Sequence, residues 1–213
     1  MGEGRGEGRA PAGSKGYDIE ADALVRRYEH VRPLDKYRVA QHLVPSTPCR
    51  VMDVGAGSGA DAAWFASLGH EVLAIEPTFE MRRRAMLMHT SPRIEWMDDC
   101  LPHLRSVVAL DRRFDLIIVA AVWMHLDELE RRAAFGTLTS LVALGGTILI
   151  SVRQGPAPAG RLVFAVSVPD TIASAEICGL RTTLNAEAQS LQAANRAAGV
   201  TWRWLAFQVR PGR

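Results

Sequence analysis

From Arg50 to Arg153, short apolar runs alternate with segments of helical period, and this restricts the fold more than any other feature. The runs "RVMDV", "HEVLAIE", "RIEWM", "FDLIIVAAV" and "GTILISVR" have the length and apolar character of buried strands. The segments "ADAAWFASLG", "FEMRRRAMLMH" and "ELERRAAFGTLTSLVAL" between them have the spacing of helices, the last ended by Gly145 and Gly146. Strands alternating with helices predict right-handed βαβ units and a mostly parallel α/β sheet covered on both faces. After Arg153 the pattern changes. "GPAPAG" is a loop, "DTIASAEICG" a helix, "LRTTL" a short strand, "EAQSLQAANRAAG" a helix by composition, and "TWRWLAFQV" a strand with one wetter face. Trp202 and Trp204 alternate with Arg203 there and are expected to pack under a helix.

Upstream, residues 1–16 are a low-complexity stretch of Gly, Glu and Arg that predicts a disordered tail. One domain is expected over residues 17–213, divided into an N-terminal helical lid (17–48) and a core (49–213). In the lid, "LDKYRVAQHLV" places Leu34, Tyr37, Ala40, Leu43 and Val44 on one helical face until Pro45 and Pro48 stop it.

The first strand runs into "GAGSGA", where Gly55, Gly57 and Gly59 permit a tight turn and a close approach of backbone to a ligand. The spacing fits a dinucleotide fingerprint, and Glu76 lies about twenty residues on, where a ribose-binding acid belongs. Asp53, two residues before the first glycine, argues against a dinucleotide. A carboxylate there repels a pyrophosphate and suits a cationic nucleoside, which S-adenosylmethionine is, with its sulfonium and ammonium groups.

Four ordered stretches carry a resemblance: "DVGAGSG" at 53–59, "AIEP" at 74–77, "WMDDCLP" at 96–102 and "FDLIIVAAVWMHL" at 114–126. Together they are similar to the motifs of class I S-adenosylmethionine-dependent methyltransferases, and the likeness spans roughly residues 17–209. It implies a Rossmann-like seven-stranded sheet with helices on both faces and an antiparallel last strand pair, and an enzyme that uses S-adenosylmethionine. It assigns the cofactor to Asp53, Gly55, Ala56, Gly57, Glu76, Pro77, Asp98, Asp99, Cys100, Ala120 and Val122. Within that set Glu76 takes the ribose hydroxyls and Asp98, in preference to Asp99, the adenine amine. Asp115 opens its strand at the end away from the ligand and is read as structural.

His125 follows the fourth strand near the expected methyl group and is a candidate general base, since an imidazole titrates near neutrality. Tyr28, Tyr37, Trp123, Arg153 and Arg161 are candidates for holding the methyl acceptor, the arginines by clamping a carboxylate.

The remaining features narrow the class. Net charge is only +2, so no overall field favours nucleic acid or an anionic membrane. Cys49, Cys100 and Cys178 form no zinc-like spacing, so no metal site is expected, and their sparseness suits a reducing cytoplasm. No leader-like apolar stretch and no membrane-length run are evident. A small-molecule acceptor modified at oxygen, nitrogen or sulfur is expected, with a monomer or homodimer as the working form and no nucleic-acid partner. The rival readings are a methyltransferase acting on protein or tRNA, an NAD-linked oxidoreductase, and a cofactor-binding protein without turnover.

Overall fold

A computed structural model describes residues 24–158 and 162–210; the expected tail at 1–16, and Arg161, lie outside them. Residues 24–29 are helical (α1), and α2 (Pro33–Lys36) and a 3-10 turn (Gln41–Leu43) precede the sheet. The core then runs β1 (Arg50–Val54), α3 (Ala60–Ser67), β2 (Glu71–Ile75), α4 (Phe79–Met88), β3 (Ile94–Met97), α5 (Arg105–Ala109), β4 (Phe114–Ala120), a 3-10 turn (Trp123–His125), α6 (Glu128–Leu141) and β5 (Val142–Gln154). It closes with α7 (Val168–Ile177), β6 (Leu180–Gln189), α8 (Ala193–Ala197) and β7 (Thr201–Val209).

Seven strands form one sheet in the order β3-β2-β1-β4-β5-β7-β6, with β7 antiparallel to both neighbours. β1 and β4 lie at the centre, which is why "FDLIIVA" is apolar at nearly every position. Within these continuous runs a two-residue alternation still sorts side chains between faces. Met52, Ile117, Ile148, Ile150 and Phe207 join the core under α6 and α7. Val51, Leu116, Ile118, Leu149 and Trp204 join the opposite core, with Phe65 of α3 and Tyr37 of the N-terminal segment. Each such side chain, fully buried, contributes about 1.5–3 kcal/mol.

Three elements depart from the sequence reading. The helix expected through "LDKYRVAQHLV" ends at Lys36, because Tyr37 and Ala40 are drawn into the core and the backbone turns to follow them. The helix expected over "EAQSLQAANRAAG" shrinks to Ala193–Ala197, since Glu187 through Gln189 pair with Thr201 through Arg203 and extend β6. β5 begins at Val142, ahead of Gly145, with an irregular register against β4 between Phe114 and Leu116. Helix α5 was not foreseen at all; five residues are too few to show a period.

Candidate active site

The turn after β1 sits at the carboxyl edge of the sheet, where open α/β folds bind ligands. The amides of Gly55 and Ala56 both donate to the Ile75 carbonyl, at 2.8 Å each, which ties the turn to the end of β2. Gly55 has φ +74, and a Cβ there would stand 2.4 Å from Cγ2 of Val122. Gly59, at φ +84, begins α3, and a Cβ there would meet the Trp96 ring at 2.7 Å. Both positions therefore exclude side chains on two counts, backbone strain and space. Above the turn lies a cavity of about 350 Å³, in the size range of small-molecule sites.

Glu76 is 7% exposed and stands on the cavity wall with Pro77 and Thr78. Its two carboxylate oxygens accept from the backbone amides of Gly57 (2.9 Å) and Thr78 (2.8 Å). Burial pushes its pKa above the usual carboxylate value, while these hydrogen bonds and Arg82 oppose the shift. The Thr78 side chain donates a third bond, which leaves one of the four lone-pair directions of the carboxylate for a ligand hydroxyl.

The preference for Asp98 over Asp99 is reversed by the geometry. Asp98 is exposed, off the wall, and paired with Arg82 at 2.8 Å. Asp99 lines the cavity beside Cys100 and Leu101. Its carboxylate accepts from the amides of Cys100 (2.8 Å), Ser106 (2.7 Å) and Val107 (3.1 Å), which fixes the loop and the start of α5. Burial first, then Asp99, pushes the Cys100 thiol up to about 11, so it is a neutral wall group.

Asp53 also stands elsewhere than expected. The two-residue alternation puts it on the Val51 face, under α3, and it is 2% exposed and not on the cavity wall. The Ala62 backbone bonds its carboxylate, yet Oδ2 has no partner. Burial, then the neighbouring Asp61, pushes its pKa up to about 8. Asp61, which the sequence did not single out, lines the cavity and accepts from Tyr37 Oη at 2.7 Å and from Lys36 Nζ.

Two expected acceptor contacts are core residues instead. Tyr37 is fully buried, stacked on Trp64 at 5.3 Å and next to Trp204 at 5.3 Å. Trp123 is fully buried against Phe135 at 4.7 Å, on the face away from the cavity. Tyr28, Ala120, Val122, His125 and Arg153 do line the cavity, as do Gly55, Ala56 and Gly57. Ala121 adopts φ +59, and its amide donates to Ser151 Oγ at 2.9 Å, which turns the chain sharply after β4. That bend delivers Met124 and His125 to the wall, with His125 Nδ1 3.4 Å from the Leu162 carbonyl. The sequence reading missed Lys36, Asp61, Trp202 and Trp204 as wall residues. For the tryptophans the signal was present: aromatic residues at the start of a last antiparallel strand lie at the carboxyl edge of the parallel ones.

Among the described residues no group of three His, Cys, Asp or Glu side chains could hold a metal, and no helix is long and apolar enough to cross a membrane. The wall fits S-adenosylmethionine: a side-chain-free turn, an acid with spare acceptor capacity at the end of β2, and a slot at Asp99–Leu101 beyond β3.

The methyltransferase-domain family matches residues 51–146. No curated protein sequence matches the chain. Among solved structures, a TehB-like S-adenosylmethionine-dependent methyltransferase from Corynebacterium glutamicum is similar, with 18% identity over 90% of this chain and 99% of that one and a TM-score of 0.66. The N-methyltransferase NodS from Bradyrhizobium japonicum, solved with S-adenosyl-L-homocysteine, has 17% identity over 91% of this chain and 98% of its own, with a TM-score of 0.67. The 1,6-didemethyltoxoflavin-N1-methyltransferase from Burkholderia thailandensis has 18% identity over 94% of this chain and 84% of its own, with a TM-score of 0.64. The antiparallel β7 and the matched domain weigh against the oxidoreductase reading. Taken with the glycine turn and its acids, the matched domain supports an S-adenosylmethionine-dependent methyltransferase, and residues 51–146 are the part of the chain that carries the likeness.

Proposed function

We propose that the chain methylates an oxygen, nitrogen or sulfur atom of a small molecule held inside the cavity. The observation that carries this reading is the cavity itself. It continues past the cofactor residues to a second set of walls on β4, β5, β7 and the segment after β6, with α1 and α2 residues closing it from above. The Burkholderia neighbour, which holds a small heterocycle and S-adenosylhomocysteine together, supports the same reading.

When bound, S-adenosylmethionine supplies a methyl group on a cationic sulfur. The chain must align an acceptor lone pair with it and keep water out. Trp202, Trp204, Met124 and Val163 supply the dry wall. His125 would serve as the base. Its Nδ1 lies 3.4 Å from the Leu162 carbonyl, which holds the ring at the wall beside the space for the acceptor. A neutral imidazole there takes the acceptor's proton.

Methyl transfer assayed over a panel of phenols, amines, thiols and carboxylic acids tests the acceptor class, and His125→Ala tests the base. With an acceptor that holds its proton at neutral pH, the variant should lose about 10²–10⁴ in kcat. An undiminished rate on such an acceptor removes His125 from the chemistry.

A further inference from the structure

The two halves of the cavity differ in character. One half, over β1, β2 and β3, presents Gly55, Glu76 and Asp99 and belongs to the cofactor in the reading above. The other, over β4, β5 and β7, presents His125, Arg153, Trp202 and Trp204. The strand register puts Arg153 opposite Trp202, and Trp202 opposite Ala188. These three side chains therefore stand in one row across one face of the sheet, close enough to share a ligand. Ser151, Trp204 and Ala186 form the next row on the same face. The small Ala186 and Ala188 add little bulk beside the two indoles.

The charges are unbalanced in one direction. Every carboxylate on the wall is engaged: Asp35 by Arg32, Asp61 by Lys36, and Glu76 and Asp99 by backbone amides. Lys36 is held by Asp61, but the arginines of the wall have no carboxylate partner among the described residues. Among the described residues Arg153 meets only the Pro156 carbonyl, through Nε at 3.2 Å and Nη2 at 3.0 Å. Arg27 and Arg38, exposed at the same cavity, have no carboxylate partner among the described residues. A half-buried guanidinium with no counter-ion, directly beside an indole, is suited to a flat anionic guest, since guanidinium binds carboxylate in a fixed planar fork.

We propose that this half of the cavity selects a planar aromatic acceptor bearing a carboxylate, its ring against Trp202 and its anion on Arg153. The inference rests on the methyltransferase reading and names its substrate class. Calorimetry on the full chain saturated with S-adenosylhomocysteine tests it, with 2-naphthoate, 2-naphthamide and cyclohexanecarboxylate as probes. Naphthoate should bind about tenfold or more tighter than either of the others, the scale of one charge-assisted hydrogen bond or one stacked ring. Arg153→Gln should abolish the preference for naphthoate over the amide, and Arg153→Lys should restore part of it. Trp202→Ala should abolish the preference over cyclohexanecarboxylate. Equal binding of naphthoate and its amide by the native chain, a comparison that needs no variant, overturns the proposal, as does a preference that survives Arg153→Gln. S-adenosylhomocysteine binding in the same samples separates the two levels. If it is retained and no anion preference appears, only this inference fails; if it is absent, the cofactor assignment fails as well.

Discussion

Asp53 holds a carboxyl group buried beside a second acid, and the sign of its effect on stability follows from that. Its pKa is raised from 3.8 to about 8, by burial first and by Asp61 next, with Lys36 opposing. Between those values the folded chain retains a proton that the unfolded chain releases, so stability falls as pH rises through the window. Asp53→Asn removes this loss. Its melting temperature should exceed that of the native chain by a wider margin at pH 8 than at pH 5; equal margins, or a narrower one at pH 8, would show that the acid is not held protonated. Glu76 answers to a different test, because its carboxylate faces the cavity. Glu76→Gln should weaken S-adenosylhomocysteine binding about 10- to 100-fold by calorimetry, the scale of a charge-assisted bond. Unchanged affinity would remove it from the ribose role. Glu76 was readable in the sequence because strand-end position and distance from the glycine turn suffice to place it. Asp53 was not, because which face of β1 it takes depends on register with the whole sheet and on what α3 covers.

Helix α6 shows how an element is delimited by local chemistry. The Asp127 side chain accepts from the Glu130 amide at 2.8 Å, and the Glu130 side chain accepts from the Asp127 amide at 2.8 Å. These two bonds satisfy amides the helix leaves open, and they start it at Glu128 directly after the His125 turn. Asp127→Ala should cost about 1 kcal/mol, measured by urea unfolding, with S-adenosylhomocysteine affinity unaltered. No change in the unfolding midpoint would mean that packing alone sets the boundary. The same balance explains which elements were legible. The apolar strands β1, β2, β4 and β5 and the helices α3, α4 and α7 follow from local period. The run at 187–199 has helical composition, yet its first residues lie in β6, because the ladder to β7 supplies their hydrogen bonds across the sheet. Tyr37 leaves its predicted helix for a similar reason: its hydroxyl reaches Asp61 and its ring reaches Trp64, partners far along the chain. Trp123 lies on a turn whose direction is set by Ala121 and Ser151, so its inward aim was not written in its neighbours.

The cavity is assembled from both ends of the chain. Tyr28, Lys36 and Val39 come from the N-terminal segment, Gly55 and Glu76 from the first βαβ unit, and Trp202 and Trp204 from the last strand. The N-terminal segment is fastened at separate points: Lys36 and Tyr37 to Asp61 of α3, and Glu29 to His89 at 3.2 Å and to Ser58 of the glycine turn. A ligand that fills this space touches elements that unfolding separates, so it stabilises the whole domain rather than one loop. At a concentration one hundred times its Kd, a ligand specific to the folded state contributes about 2.7 kcal/mol. For a chain of this length each kcal/mol raises the melting temperature by about 2–4 °C. S-adenosylhomocysteine at that concentration should therefore raise it by about 5–11 °C, with Kd fixed beforehand by calorimetry. NADH at equal concentration should leave it unchanged, because the half of the wall over β1, β2 and β3 presents the Glu76 and Asp99 carboxylates, which repel a pyrophosphate. A shift with NADH and none with S-adenosylhomocysteine would reverse the assignment of the site.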